Sequence, residues 1–336
     1  MAPTTEPNYG FPGFPLPGTT YVLPPMGLGT WAWGDAPTWG MGSYDRSYNF
    51  DTIREAYAKS VAAGITLLDT AEMYGKGESE RIIGRLLEED KEHRDRVLVA
   101  TKFIPFPWRV PLRTRLLDAL RSSLDRLRLP FVHLYQIHGP ISLCSHETMA
   151  DALAEAWNAG LTKAVGVSNY SEREMRAIHA ALARRGIPLA SNQIEYSLLR
   201  TDPERKGLLR ACAELGVIVL AYSPLGQGRL TGKYSAQNPP PGKRNFSAYP
   251  MEEIEPLVAA LRETGARHGG KTPAQVALNW LMCKGTIPIP GAKNGAQAEQ
   301  NAGALGWRLT ADEVAQLDGL AKPGRYTLFL RFWQHG

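Results

Sequence analysis

The chain has 336 residues, room for one large domain or two ordinary ones, with 43% hydrophobic, 9% aromatic and 21% charged residues. That is ordinary globular composition, and it excludes collagen, coiled coil and wholesale disorder. Lys and Arg outnumber Asp and Glu by 38 to 33, a mild and dispersed net charge of +5 that does not mark a nucleic-acid-binding protein but suits an anionic ligand such as a nucleotide phosphate.

In chain order, Met1 to Pro25 contains seven prolines and no Lys or Arg. It lacks the charged start of a signal peptide and the Arg-rich character of a transit peptide, so an extended leader lying on the fold is expected. A cytoplasmic location follows, or a plastid one if a transit peptide has been removed.

From Met26, short apolar runs alternate with amphipathic segments of helical length. The expected strands are Met26–Trp33, Ile65–Asp69, Val97–Lys102, Val132–His138, Lys163–Val167, Ala190–Ile194, Val217–Ala221 and Thr286–Pro290. Several are nearly continuous apolar runs, as strands buried on both faces must be. Between them lie expected helices at Thr52–Ala63, Ser79–Glu89, Leu112–Arg128, Glu147–Asn158, Glu172–Arg185, Pro203–Leu215 and Pro273–Met282. The basic run Arg113 to Arg128 belongs to this set, because its leucines recur at helical spacing and leave the charges on a solvated face.

Each connection is long enough for a right-handed crossover, so the strands should be parallel. Eight such units predict an α/β fold, a single-domain (β/α)8 TIM barrel over residues 26–322, with a short tail at 323–336. A doubly wound sheet is the alternative, and no G-x-G-x-x-G supports it. The stretch Gly226–Pro250, with Asn238-Pro239-Pro240-Pro241-Gly242, reads as a long loop after strand seven, followed by an extra helix at Glu252–His268.

Cys144, Cys212 and Cys283 are odd in number, far apart and without a CxxC pair, which points to reduced thiols in an intracellular protein. Cys144 and His146 alone are too small a set for a metal, and none is expected. No run approaches the ~18 apolar residues of a membrane span.

Chemistry in such a barrel belongs at the carboxyl ends of its strands. Strand two ends at Asp69 with Tyr74 just beyond, strand three at Lys102 and strand four at His138. Singly, each has an ordinary explanation in capping or packing. Together, three ionisable groups at one end of three buried strands are costly unless they pair or work. Lys102, charged by Asp69, would lower the pKa of Tyr74, normally ~10, and make it a general acid for a developing alkoxide. His138 would orient the carbonyl. A Schiff-base role for Lys102 is disfavoured, since Asp69 should keep the amine protonated.

The runs Leu68-Asp69-Thr70-Ala71-Glu72-Met73-Tyr74-Gly75, Ala100-Thr101-Lys102 and Leu134-Tyr135-Gln136-Ile137-His138 resemble the aldo-keto reductases. The resemblance extends through Gly166-Val167-Ser168-Asn169-Tyr170, Asn192-Gln193-Ile194-Glu195-Tyr196-Ser197, Ala221-Tyr222-Ser223-Pro224-Leu225 and Ile287-Pro288-Ile289-Pro290-Gly291-Ala292-Lys293, and covers about Met26 to Ala321. It implies a tetrad of Asp69, Tyr74, Lys102 and His138, with Tyr74 as proton donor in NAD(P)H-dependent reduction of aldehydes or ketones.

The resemblance further implies that Ser168, Asn169 and Gln193 hold the carboxamide of NADPH and that Tyr222 stacks on its nicotinamide ring. Gly29, Thr30 and Trp31 match first-strand contacts; Ser223, Leu225 and Gly226, with Arg229, match the pyrophosphate region. Gly291, Lys293, Gln297, Gln300 and Asn301 match the adenosine end, where a helix amino terminus favours anions. Gln297 replaces an arginine common in relatives that bind the 2′-phosphate, and Gln300 a glutamate near the adenine, so NADH is the alternative cofactor.

Trp31-Ala32-Trp33-Gly34-Asp35 and Gly303-Ala304-Leu305-Gly306-Trp307 are similar to plant and cyanobacterial, plastid-type members, near the pyridoxal reductases, which makes pyridoxal a candidate substrate. Trp33, Trp108 and Tyr196 are the candidate pocket aromatics, and the tail after Pro323 should add only a small substrate loop. The expected partner is a small-molecule carbonyl substrate, with no nucleic acid or membrane, for a monomer or small homo-oligomer. The competing reading is a slow-turnover nicotinamide-binding regulatory subunit similar to the potassium-channel β subunits, against which the absence of a long amino-terminal extension counts.

Overall fold

The computed structural model describes residues 10–35, 39–41, 47–240, 246, 248–325 and 327–336. Its chain first makes a small antiparallel hairpin, β1 (Phe14–Pro15) and β2 (Val22–Leu23). The barrel strands follow as β3 (Gly27–Gly29), β4 (Leu67–Asp69), β5 (Leu98–Phe103), β6 (Val132–Ile137), β7 (Thr162–Ser168), β8 (Leu189–Glu195), β9 (Ile218–Tyr222) and β10 (Ile287–Pro288). All seven neighbouring pairs from β3 to β10 are parallel and in chain order. A parallel bridge between Gly29 and Gly291 closes the ring, with the Gly29 N–H donating to Pro290 O at 3.0 Å. A Cβ on Gly29 would come 2.7 Å from the Ile289 carbonyl oxygen, so glycine is what lets the first and last strands meet. Pro288 and Pro290 offer no N–H to a ladder, which keeps β10 to two residues.

The first strand is shorter than its sequence suggests. Trp31–Gly34 turn away after β3. Helices cover the outside: α1 (Phe50–Ala62), α2 (Glu78–Glu89), α3 (Leu112–Leu127), α4 (His146–Asn158) and α5 (Glu172–Ala183). Then come α6 (Asp202–Arg205), α7 (Leu208–Leu215), α8 (Met251–Arg267), α9 (Pro273–Cys283), α10 (Gly295–Ala302), α11 (Ala311–Leu320) and α12 (Leu328–Trp333). The single helix expected over Pro203–Leu215 is broken at Gly207, whose φ of 88° lies outside the helical region. On α3, Leu112, Leu116, Leu117, Leu120, Leu124 and Leu127 are buried, while Arg113, Arg126 and Arg128 pair with Glu155, Glu80 and Glu88. The long loop after β9 opens with 3-10 turns over Gly226–Thr231; residues 241–245 and 247 of that loop lie outside the described residues.

Residues 14–23 do more than lie on the surface. Leu16 and Leu23 are buried among Leu67, Leu98, Leu134, Ala164, Ala190, Ile218 and Ile287, so the hairpin plugs the amino-terminal end of the barrel. The Pro-rich composition hid this, because each strand is only two residues long.

His133 marks the edge of the plug. Its ring meets Tyr21 edge-on at 4.7 Å, and its Nδ1 accepts the Val99 N–H at 3.1 Å. That acceptor must stay unprotonated. Burial, and then the charge of Lys163, lower the His133 pKa to about 4. Between pH 6.5 and about 4 the unfolded chain therefore takes up a proton that the folded chain refuses, and stability falls on acidification by up to roughly 3 kcal/mol. Urea unfolding as a function of pH should show this slope, and His133→Gln should flatten it.

Candidate active site

The side-chain period of two puts alternate residues of each strand into the barrel. Leu67 and Asp69, then Leu98, Ala100 and Lys102, then Leu134, Gln136 and His138 follow that alternation. Their apolar members line the plugged end, and their polar members reach the open end. The parallel register carries Lys102 alongside Gln136, and Ser168 alongside Gln193.

At the mouth Lys102 Nζ donates to Asp69 Oδ1 at 2.5 Å, to Thr70 O at 2.7 Å and to Tyr74 Oη at 3.5 Å. Three hydrogens meet three acceptors, the arrangement of an ammonium. Burial lowers the Lys102 pKa while Asp69 pulls it back up. The other carboxylate oxygen of Asp69 accepts from Gln193 Nε2 at 2.7 Å and from Gln136 Nε2 at 3.3 Å. This geometry favours ion pairing over a Schiff-base amine at Lys102.

Tyr74 stands in a 3-10 turn just past β4, its ring 5.6 Å from that of His138. The expectation that Lys102 lowers the Tyr74 pKa does not hold here. Burial, and then the charge of Asp69, keep it well above the usual phenol value. Tyr74 is thus a neutral phenol with a proton to give. His138 is pushed well below the ordinary histidine value by burial and by Lys102, so its ring is neutral, and its buried Nδ1 has no hydrogen-bond partner. A buried polar atom left open at the mouth suits a site kept for a ligand.

The residues assigned to the carboxamide lie beside this cluster. Ser168 Oγ donates to Gln193 O at 2.9 Å, Asn169 Nδ2 to Ser168 Oγ at 3.1 Å, and Tyr222 Oη to Asn169 Oδ1 at 2.8 Å. Thr30 is buried, with Oγ1 donating to Asp69 O. Trp31 lies against Tyr74 at 6.3 Å between ring centres, and against Phe246 at 5.8 Å.

Ser223 and Gly226, both at positive φ, and Leu225 make the turn after β9, and Arg229 reaches the Gly226 and Tyr249 carbonyls. The remaining positions gather around the start of α10. Asn301 Nδ2 donates to Gly291 O, Gln297 Oε1 accepts the Lys293 N–H, and Lys293 Nζ donates to Trp39 O at 2.5 Å. The Gln300 carbonyl accepts from Gln275.

Two of the three pocket aromatics, Trp33 and Tyr196, are not where they were expected. Trp33 is fully buried and donates to Ala292 O, being two residues beyond Trp31 on a turning chain. Tyr196 falls on the outward period of β8, packs on Trp280 at 5.3 Å and donates to Glu204. Trp108 is 72% exposed and stacked on Phe106, on the loop beyond β5.

The aromatics that do face Tyr74 and His138 are Trp31 and Trp333, the latter 5.3 Å from His138 at the end of α12. The tail is therefore a structured return to the mouth, not a small loop. Its cluster Arg331-Phe332-Trp333-Gln334 was the available signal in the sequence. Among the described residues no group of three metal-ligating side chains is found, and no helix is long and apolar enough to cross a membrane.

Residues 25–322 match the Aldo/keto reductase family, and the chain belongs to it, as an oxidoreductase built on a (β/α)8 barrel. Pyridoxal reductase, chloroplastic, of Arabidopsis thaliana is 41% identical over 323 residues, covering 92% of this chain and 86% of that protein. A thermostable aldo-keto reductase, Tm1743, solved with the inhibitor epalrestat, superposes with a TM-score of 0.74 at 30% identity, covering 92% of this chain and 100% of that one. An aldo-keto reductase from Klebsiella pneumoniae solved with NADPH gives a TM-score of 0.71 at 27% identity, with 93% and 96% covered.

Proposed function

We propose that this protein reduces an aldehyde or ketone to the alcohol, with NADPH as hydride source and Tyr74 as proton donor. The observation that carries the reading is the row of buried Asp69 and Lys102 with partly buried Tyr74, beside a neutral His138, at the open end of the barrel. Bound NADPH would supply the hydride to the carbonyl carbon. Tyr74 supplies the proton to the carbonyl oxygen, and the Lys102 ammonium 3.5 Å away stabilises the phenolate left behind. His138, uncharged, orients the carbonyl by a hydrogen bond without competing as an acid.

The residues present fit the cofactor. Ser168, Asn169 and Gln193 offer buried amide and hydroxyl groups for a carboxamide, and Tyr222 offers a ring for the nicotinamide. Arg229 and Lys293 supply cations toward the phosphates, which supports NADPH over NADH although Gln297 is uncharged. The substrate we favour is pyridoxal or a similar flat aldehyde. Support comes from the Arabidopsis relative and from Trp31 and Trp333, which flank Tyr74 and His138.

The test is quenching of the eight tryptophans by NADPH and then NADH, followed by NADPH oxidation with pyridoxal. Saturable quenching by NADPH together with pyridoxal-dependent oxidation is the expected result. Failure of both nucleotides to bind overturns the reading. Binding without turnover of pyridoxal or simple aldehydes favours the regulatory-subunit alternative.

A further inference from the structure

The tail after α12 is tied into the mouth by several elements at once. The His335 and Gly336 N–H groups both donate to Asn169 O, at 3.0 and 3.2 Å, and Arg200 Nη2 donates to Gly336 O at 2.8 Å. Between these backbone anchors and Trp333 lies Gln334, which is 3% exposed. Its amide nitrogen has two hydrogens and uses both, one on Glu195 Oε2 at 2.5 Å and one on Tyr222 Oη at 2.8 Å.

The second of these bonds sets a direction. Because Tyr222 Oη accepts from Gln334, its single hydrogen is left to donate to Asn169 Oδ1 at 2.8 Å. With its oxygen so occupied, Asn169 must turn its Nδ2 toward Ser168 Oγ at 3.1 Å and His138 O at 3.3 Å. Tyr222 is held neutral by burial and by Glu195, so it remains a donor throughout the ordinary pH range. Glu195 is itself buried, 3.8 Å from Arg200, and this contact helps hold the first acceptor in place. One side chain in the tail therefore orients a chain of hydrogen bonds that runs along the mouth from β8 to the backbone of His138.

We propose that Gln334 is a positioning residue for the nicotinamide end of the site, acting through the Tyr222 ring and the Asn169 amide. The proposal rests on the reading that Tyr222 and Asn169 meet the cofactor. Without Gln334 the Tyr222 hydroxyl can donate to Glu195 or rotate, and the Asn169 amide is free to flip. Each outcome presents a different face to the carboxamide.

The experiment compares the full chain with Gln334→Met, which keeps the volume and loses both donors, and with Gln334→Ala. NADPH is titrated by tryptophan quenching, the unliganded fold is checked by circular dichroism, and kcat and KM are measured for the aldehyde. The expected result is a Kd for NADPH raised roughly 3- to 10-fold in both variants, the scale of a lost hydrogen bond, with the folded spectrum retained. Trp333→Leu, which removes the ring beside His138, should instead raise the aldehyde KM. NADPH binding by Gln334→Met as tight as by the native chain, or weaker only in proportion to unfolded protein, overturns the proposal. Absence of NADPH binding by the native chain overturns the underlying functional reading and this proposal with it.

Discussion

Tyr74→Phe should lower kcat for aldehyde reduction by roughly 10²–10⁴-fold, the range for loss of a positioned general acid, while NADPH still quenches the tryptophan fluorescence. The ring keeps its contacts with Trp31 and His138, so only the hydroxyl and its proton are removed. No neighbour can take over. Lys102 is committed to Asp69 and Thr70, and His138 is neutral because burial and the Lys102 charge hold its pKa far down. The pH profile is a second check. Since the Tyr74 pKa is raised by burial and by Asp69, its protonated form persists through neutral and mildly alkaline pH, and kcat/KM should show no alkaline fall from Tyr74 below about pH 10. Full activity in the variant would mean that another group or water delivers the proton.

Lys102→Met should cost about 3–5 kcal/mol of stability, because it strands the Asp69 carboxylate in a site where both partners are fully buried. Gln193 and Gln136 still donate to Asp69 Oδ2, which places the loss toward the lower end of that range. Urea unfolding of the variant and the native chain at matched pH values measures this difference, in which the His133 contribution cancels. Adding Asp69→Asn should recover part of the loss. A deficit below about 1 kcal/mol at neutral pH would show that the pair is far better solvated than its burial implies.

The barrel was legible because each β/α unit carries its own signal. Apolar runs such as Val132–Ile137 are bounded by amphipathic stretches such as Leu112–Leu127, and both periods are local. The same alternation put Asp69, Lys102 and His138 at strand ends, so their meeting required only that the strands be parallel and adjacent.

The aromatics were not legible in this way. Trp31 and Trp33 differ by two positions and by nothing in chemistry, yet one faces Tyr74 and the other lies in the core beside Ala292, because the chain turns after Gly29. The Tyr74 pKa likewise depended on burial and on the distance to the Asp69 charge, which only the tertiary structure sets. The leader and the tail are the clearest cases. Leu16 and Leu23 are core residues only because the barrel has an open end to fill. Gln334 reaches Glu195 and Tyr222 across 139 and 112 positions of chain. Local periodicity thus determined the strands, the helices and the row of ionisable groups, since each depends on neighbours a few residues away. Which side chains close the two ends of the barrel was decided only by the tertiary structure, since contacts between distant segments leave no periodic trace in either one.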